Sequence, residues 1–156
     1  MTAPRTILVV EDDEDDFFFT QRVLRQRTAA AILRLEGGFE AIDYLAGKGA
    51  FVDRSKFPLP EIILLDLKME RGNGHTVLAA VRENPPQPLP RIFVLTGSNE
   101  PRDRALALES GVAQGFIVKP LSAEHVARIL GQTESQDGAA FGVPPGAPRA
   151  IGVKKS

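Results

Sequence analysis

Ile62-Ile63-Leu64-Leu65-Asp66 sets four aliphatic residues in a row and ends them with a carboxylate. Nothing polar alternates with the apolar residues, which suits a strand covered on both faces, as in a parallel sheet packed between helices. Three more runs have this form. Ile7-Leu8-Val9-Val10 ends in Glu11-Asp12, Ile92-Phe93-Val94-Leu95 in Thr96, and Phe116-Ile117-Val118 in Lys119-Pro120. In an open α/β sheet the carboxyl ends of the strands share one edge, and ligands bind there. The four polar terminators are therefore expected to meet in one pocket.

Helical stretches separate the runs. Asp13 to about Arg27 opens on acids and closes on Arg22, Arg25 and Arg27, so its charges match the helix dipole at both ends. A further strand, Ile32-Leu33-Arg34-Leu35, leads through Gly37-Gly38 into a short helix carrying Phe39, Ile42, Tyr44 and Leu45. Gly47 to Pro60 reads as a loop, as does Gly72-Asn73-Gly74 before the helical Val77-Leu78-Ala79-Ala80-Val81. The prolines from Pro85 to Pro90 stop that helix. Pro101 to Ser110 is helical with Gly111 as its stop, and Ser122 caps a last helix through about Leu130. Five repeats of strand then helix predict a flavodoxin-like, doubly wound, five-stranded parallel sheet of order 2-1-3-4-5, with helices on both faces.

The 156 residues suit one domain. There is no cysteine, so no disulfide framework, thiolate metal site or cysteine nucleophile exists. The N-terminus has no signal-peptide profile, and no apolar stretch approaches the roughly 18 residues that cross a bilayer. The expectation is a soluble, cytoplasmic protein with no membrane contact. Lys and Arg number 19 against 20 Asp and Glu, so no global basic field favours nucleic acid. Charge is instead concentrated locally: residues 11 to 16 are six acids in sequence, which should attract a cation. Residues 5–130 form the expected domain. The Gly/Pro-rich extension 131–156 reads either as a flexible tail or as an arm docking on a partner subunit.

Asp66 ends a buried strand at a fixed, partly desolvated position, from which it can attack an electrophile. Aspartate accepts phosphoryl groups in this way. Donor and carboxylate are both anionic, so their approach needs a cation, and Mg²⁺ takes carboxylate oxygens together with waters and phosphate oxygens. Glu11 and Asp12 supply such oxygens across the crevice from Asp66. Thr96 can hydrogen-bond a phosphoryl oxygen, and Lys119 can add a charge-assisted contact. Each residue alone has an ordinary reading: a turn cap, a solvated helix start, a surface charge, or for Phe116 a fixed core aromatic. Their joint occurrence at successive strand ends favours the chemistry.

With Leu64-Leu65-Asp66-Leu67-Lys68-Met69 and Val94-Leu95-Thr96-Gly97-Ser98 added, the ordered set resembles the receiver domains of two-component response regulators over about residues 5 to 130. The resemblance implies that Asp66 takes a phosphoryl group from a sensor histidine kinase. It implies that Glu11, Asp12, Asp66 and the backbone carbonyl of Lys68 organise Mg²⁺, and that Thr96 and Lys119 hold the phosphoryl oxygens. By the same likeness the Lys119–Pro120 bond is cis, and Thr96 and Phe116 form a switch acting on the helix 4–strand 5–helix 5 face. Such a domain is a signalling module, with no enzymatic activity beyond its own phosphorylation and dephosphorylation. Glu70 stands where the family commonly has proline, and Gly72-Asn73-Gly74 where Met-Asp-Gly is common. The side chains of Lys68 and Ser98 lie where the family tunes loss of the phosphoryl group. The loop from Gly47 to Pro60 and the proline-rich turn resemble single-domain regulators paired with bacterial phytochrome kinases, which commonly form homodimers.

Two other readings compete. A phosphatase of the haloacid-dehalogenase type also places an acceptor aspartate beside Mg²⁺, but wants a second carboxylate two residues on, where this chain has Lys68. A receiver-like scaffold that is never phosphorylated would be marked by a missing pocket residue, and none is missing. Gly72-Asn73-Gly74 lacks the third glycine of a dinucleotide fingerprint, and Phe17 stands where an EF-hand loop needs glycine. His75 and His125 have no partner at a metal-binding spacing and read as ordinary surface or helix residues.

Overall fold

The computed structural model describes residues 5–97 and 99–131. Its strands are β1 (Thr6–Val10), β2 (Ala31–Leu35), β3 (Ile62–Leu65), β4 (Arg91–Thr96) and β5 (Ala113–Val118). Its α-helices are α1 (Glu14–Arg25), α2 (Gly38–Ala46), α3 (Gly74–Glu83), α4 (Pro101–Glu109) and α5 (Ala123–Gly131). The strands pair in parallel in the order β2-β1-β3-β4-β5, the expected flavodoxin-like arrangement.

Successive residues of the central strands enter different cores. Leu8, Val10, Ile63, Leu65 and Val94 pack with Tyr44, Val77 and Leu78 of α2 and α3, whereas Ile7, Val9, Ile62, Leu64 and Leu95 pack with Leu24 of α1 and Val126 of α5. Because both faces are covered, both sets of positions are apolar, and the alternation of a one-sided sheet vanishes. Each such aliphatic side chain contributes about 1.5–3 kcal/mol by leaving water.

Helix ends follow side-chain caps. Asp13 caps α1 by accepting from the Asp16 N–H at 2.9 Å. The helix stops short of Arg27 because the N–H groups of Gln26 and Arg27 turn to carbonyls three residues back. α3 begins earlier than its apolar period suggested, since Asn73 accepts from the Thr76 N–H at 3.0 Å and makes Gly74 the first helical residue. Ser122 Oγ accepts from the His125 N–H, and His125 Nδ1 accepts from the Ser122 N–H, a reciprocal cap that gives His125 a structural task.

The loop from Gly47 to Pro60 is packed. Phe51 and Phe57 join Tyr44 with ring centroids 5.0–6.1 Å apart, and Arg54 donates to the carbonyls of Tyr44, Leu45 and Phe57. Beyond Gly131 the expected extension lies outside the described residues, as does Ser98.

Candidate functional site

The last rungs of the ladder bring the acids together. Asp66 N–H donates to the Val10 carbonyl at 3.1 Å, which sets the ends of β1 and β3 side by side, and Glu11 N–H donates to the Leu35 carbonyl of β2 at 2.9 Å. One carboxylate oxygen each from Glu11, Asp12 and Asp66 lies within 4.8 Å of the other two. Three hard oxygen donors around one point fit a small divalent cation. Glu11 and Asp66 are nearly enclosed, 2 % and 5 % exposed.

Lys119, arriving from the end of β5, faces all of this. Its Nζ donates to Glu11 Oε1 at 2.7 Å, to Asp16 Oδ2 at 2.7 Å and to Asp66 Oδ2 at 3.2 Å. Burial works against its charge, but the hydrogen bonds to Asp16 and Glu11 and the field of Asp66 outweigh it and hold the ammonium well above its ordinary pKa. Burial also dominates at Glu11: against the hydrogen bond from Lys119, and with the help of the Asp66 charge, it pushes the carboxyl up to about 7. Asp16 was not among the residues expected here. Its place in the first turn of α1 made it one more acid in a run of six, and only its distance to Lys119 singles it out.

The remaining expected residues divide. Thr96 is fully buried at the end of β4, where its carbonyl accepts from the Lys119 N–H at 2.8 Å. Asp66 Oδ1 accepts from the Lys68 N–H at 3.1 Å, and Asp12 Oδ2 from the Glu70 N–H at 3.2 Å. The Lys68 ammonium turns away from the acids, toward Glu100 at 3.9 Å and Asp103 at 3.7 Å. Asp103 also meets His75 Nε2 at 3.3 Å. A cleft of about 520 Å³ opens there, lined by Asp12, Lys68, Glu70, Asn73, His75 and Asp103 among others. Phe116 is outside the acid cluster, 1 % exposed in the core, with the Arg104 guanidinium 5.2 Å from its ring centroid. Lys119–Pro120 is cis, as expected, and so is Gln87–Pro88.

The family model described as the response regulator receiver domain matches residues 7–130. The chain belongs to this family. Among curated proteins the receiver domain is 34 % identical over 99 residues to response regulator Rcp1 of Synechocystis, covering 62 % of this chain and 65 % of Rcp1. The chain thus spans slightly less than two thirds of that relative's length. Among solved structures it is similar to the bacteriophytochrome response regulator RtBRR, with 33 % identity, a TM-score of 0.70, and coverage of 92 % of this chain and 86 % of that one. It is also similar to RPA3017, a response regulator in red light signaling of R. palustris, with 30 % identity, a TM-score of 0.69, and coverage of 80 % and 87 %. The receiver domain is therefore a signalling domain related to phytochrome response regulators. Among its described residues no helix is long and apolar enough to cross a membrane.

Proposed function

We propose that this chain is a single-domain response regulator that accepts a phosphoryl group on Asp66 from a sensor histidine kinase, with a bacteriophytochrome as the kinase. The supporting observation is the convergence of Glu11, Asp12 and Asp66 within 4.8 Å under the Lys119 ammonium. A carboxylate oxygen of Asp66 attacks phosphorus as the bond to the kinase imidazole breaks. Glu11, Asp12, Asp66 and the Lys68 carbonyl would hold Mg²⁺, which when bound would neutralise charge between the two anions. Lys119 holds one phosphoryl oxygen, and Thr96, drawn toward another, is coupled to Phe116 and hence to the α4–β5–α5 face. The kinship to regulators of red light and phytochrome signalling supports the choice of kinase.

The protein works in the cytoplasm without nucleic acid. It dimerises through the α4–β5–α5 face, with residues 131–156 as an arm beyond the 5–130 domain. Acetyl phosphate with Mg²⁺ is expected to label Asp66, and Asp66→Asn to abolish the label. Undiminished incorporation in that variant defeats the acceptor assignment. Removal of residues 131–156 is expected to lower the sized mass from dimer toward monomer; an unchanged oligomer removes the arm.

A further inference from the structure

Arg34 interrupts the apolar run of β2, yet its side chain is only 21 % exposed. It pairs with Val9 in the ladder. Its Nε donates to the carbonyl of Glu11 at 3.1 Å and its Nη2 to the carbonyl of Asp12 at 3.3 Å. The guanidinium carbon stands 5.2 Å from the ring centroid of Phe17 in α1, and Nη1 is 3.7 Å from Glu36 Oε2. The ladder between β1 and β2 ends with the Glu11 N–H on Leu35. Beyond that bond the chain leaves the sheet, and two successive carbonyls meet one planar fork. Arginine alone among the side chains offers several donors in that rigid geometry.

We infer that Arg34 is a positioning residue for divalent-cation binding. By holding the carbonyls of Glu11 and Asp12 it fixes the two successive peptide units on either side of the Asp12 Cα, and so the backbone that carries both carboxylates, without itself touching the ion. This rests on the reading of Glu11, Asp12 and Asp66 as cation ligands. Two effects of Arg34 oppose each other. Its positive charge disfavours a cation nearby, so charge alone makes removal of Arg34 tighten binding. Its hydrogen bonds restrain a segment of six mutually repelling acids, so geometry makes the same removal weaken binding. The sign of the change separates the two.

The test titrates Mn²⁺ by the electron paramagnetic resonance of the free ion, and Mg²⁺ by competition, on the full chain and its variants. Arg34→Met, which keeps the apolar stem, is expected to bind about three- to tenfold more weakly. Arg34→Lys keeps the charge without the fork and is expected to bind more weakly too, while Glu36→Gln stays within about twofold of wild type. Binding by Arg34→Met as tight as wild type or tighter overturns the inference. If that variant does not fold, Arg34→Lys decides, and wild-type affinity there overturns it. A wild-type chain that binds neither ion overturns the cation-site reading, and the inference with it.

Discussion

Gly74, the first residue of α3, lies so close to Asp66 that a β-carbon there would stand 2.5 Å from the Asp66 carbonyl oxygen. The same atom would be 2.9 Å from Leu67 Cα, so no side-chain rotation relieves the clash. Gly74→Ala is expected to cost about 1–3 kcal/mol and, on the proposed function, to slow labelling of Asp66, because the chain carrying that carboxylate must move. Urea unfolding and labelling by acetyl phosphate measure the two effects separately.

Lys119→Met leaves Glu11 and Asp66 buried without their cation. The expected loss is about 3 kcal/mol at pH 8. At pH 5 the loss shrinks, because Glu11, pushed up to about 7, then carries a proton and no charge to compensate. Equal losses at both pH values contradict this account.

The metal-free chain should show the pH dependence of Glu11 directly. Between about 4.5 and 7 the folded protein retains a proton on Glu11 that the unfolded chain has lost. This group's contribution is therefore complete below the lower value and lost as pH rises through the upper one. Relative to Glu11→Gln, wild type is expected to lose on the order of 2 kcal/mol between pH 5 and 8. Mg²⁺ at pH 8 is expected to return stability to wild type more than to the variant, and chelation to remove it. Parallel stability curves for the two proteins would refute the assignment.

His125 has the opposite sign. Burial lowers its pKa below the ordinary 6.5, and Nδ1 must be unprotonated to accept from the Ser122 N–H. The unfolded chain binds the proton first as pH falls, so this contribution is present above 6.5 and is lost below it. The imidazole should titrate below 6.5 by NMR. His125→Gln, which retains a capping acceptor, is expected to flatten the acid side of the stability curve.

Arg54→Ala provides a control remote from the acids. It removes three hydrogen bonds to carbonyls at the end of α2 and in the following loop, at an expected cost of about 2 kcal/mol. Divalent-cation affinity should remain that of wild type, as measured by the Mn²⁺ titration.

The central strands were legible because burial on two faces leaves an unbroken aliphatic run that few other environments explain. Glu11, Asp12, Asp66 and Lys119 were legible for a related reason: each is the first polar residue after such a run, and parallel pairing carries all the run ends to one edge. Asp16 was hidden among identical neighbours. Arg34, a charge within β2, gave no sign of its task, because the carbonyls it serves lie just beyond the end of β1. The start of α3 was misplaced because its apolar period begins at Val77, whereas the cap that starts it is a polar side chain at Asn73. Hydrophobic periodicity reports what packs, and these three features are set by hydrogen bonds.

An ammonium group has three protons, and those of Lys119 are already divided among Glu11, Asp16 and Asp66. A new oxygen on Asp66 that needs one of them must displace a present holder. Asp16, 47 % exposed, is the holder that water can most readily take over. On the proposed function, modification of Asp66 would thus reach the first turn of α1, on the opposite face of the sheet from α4.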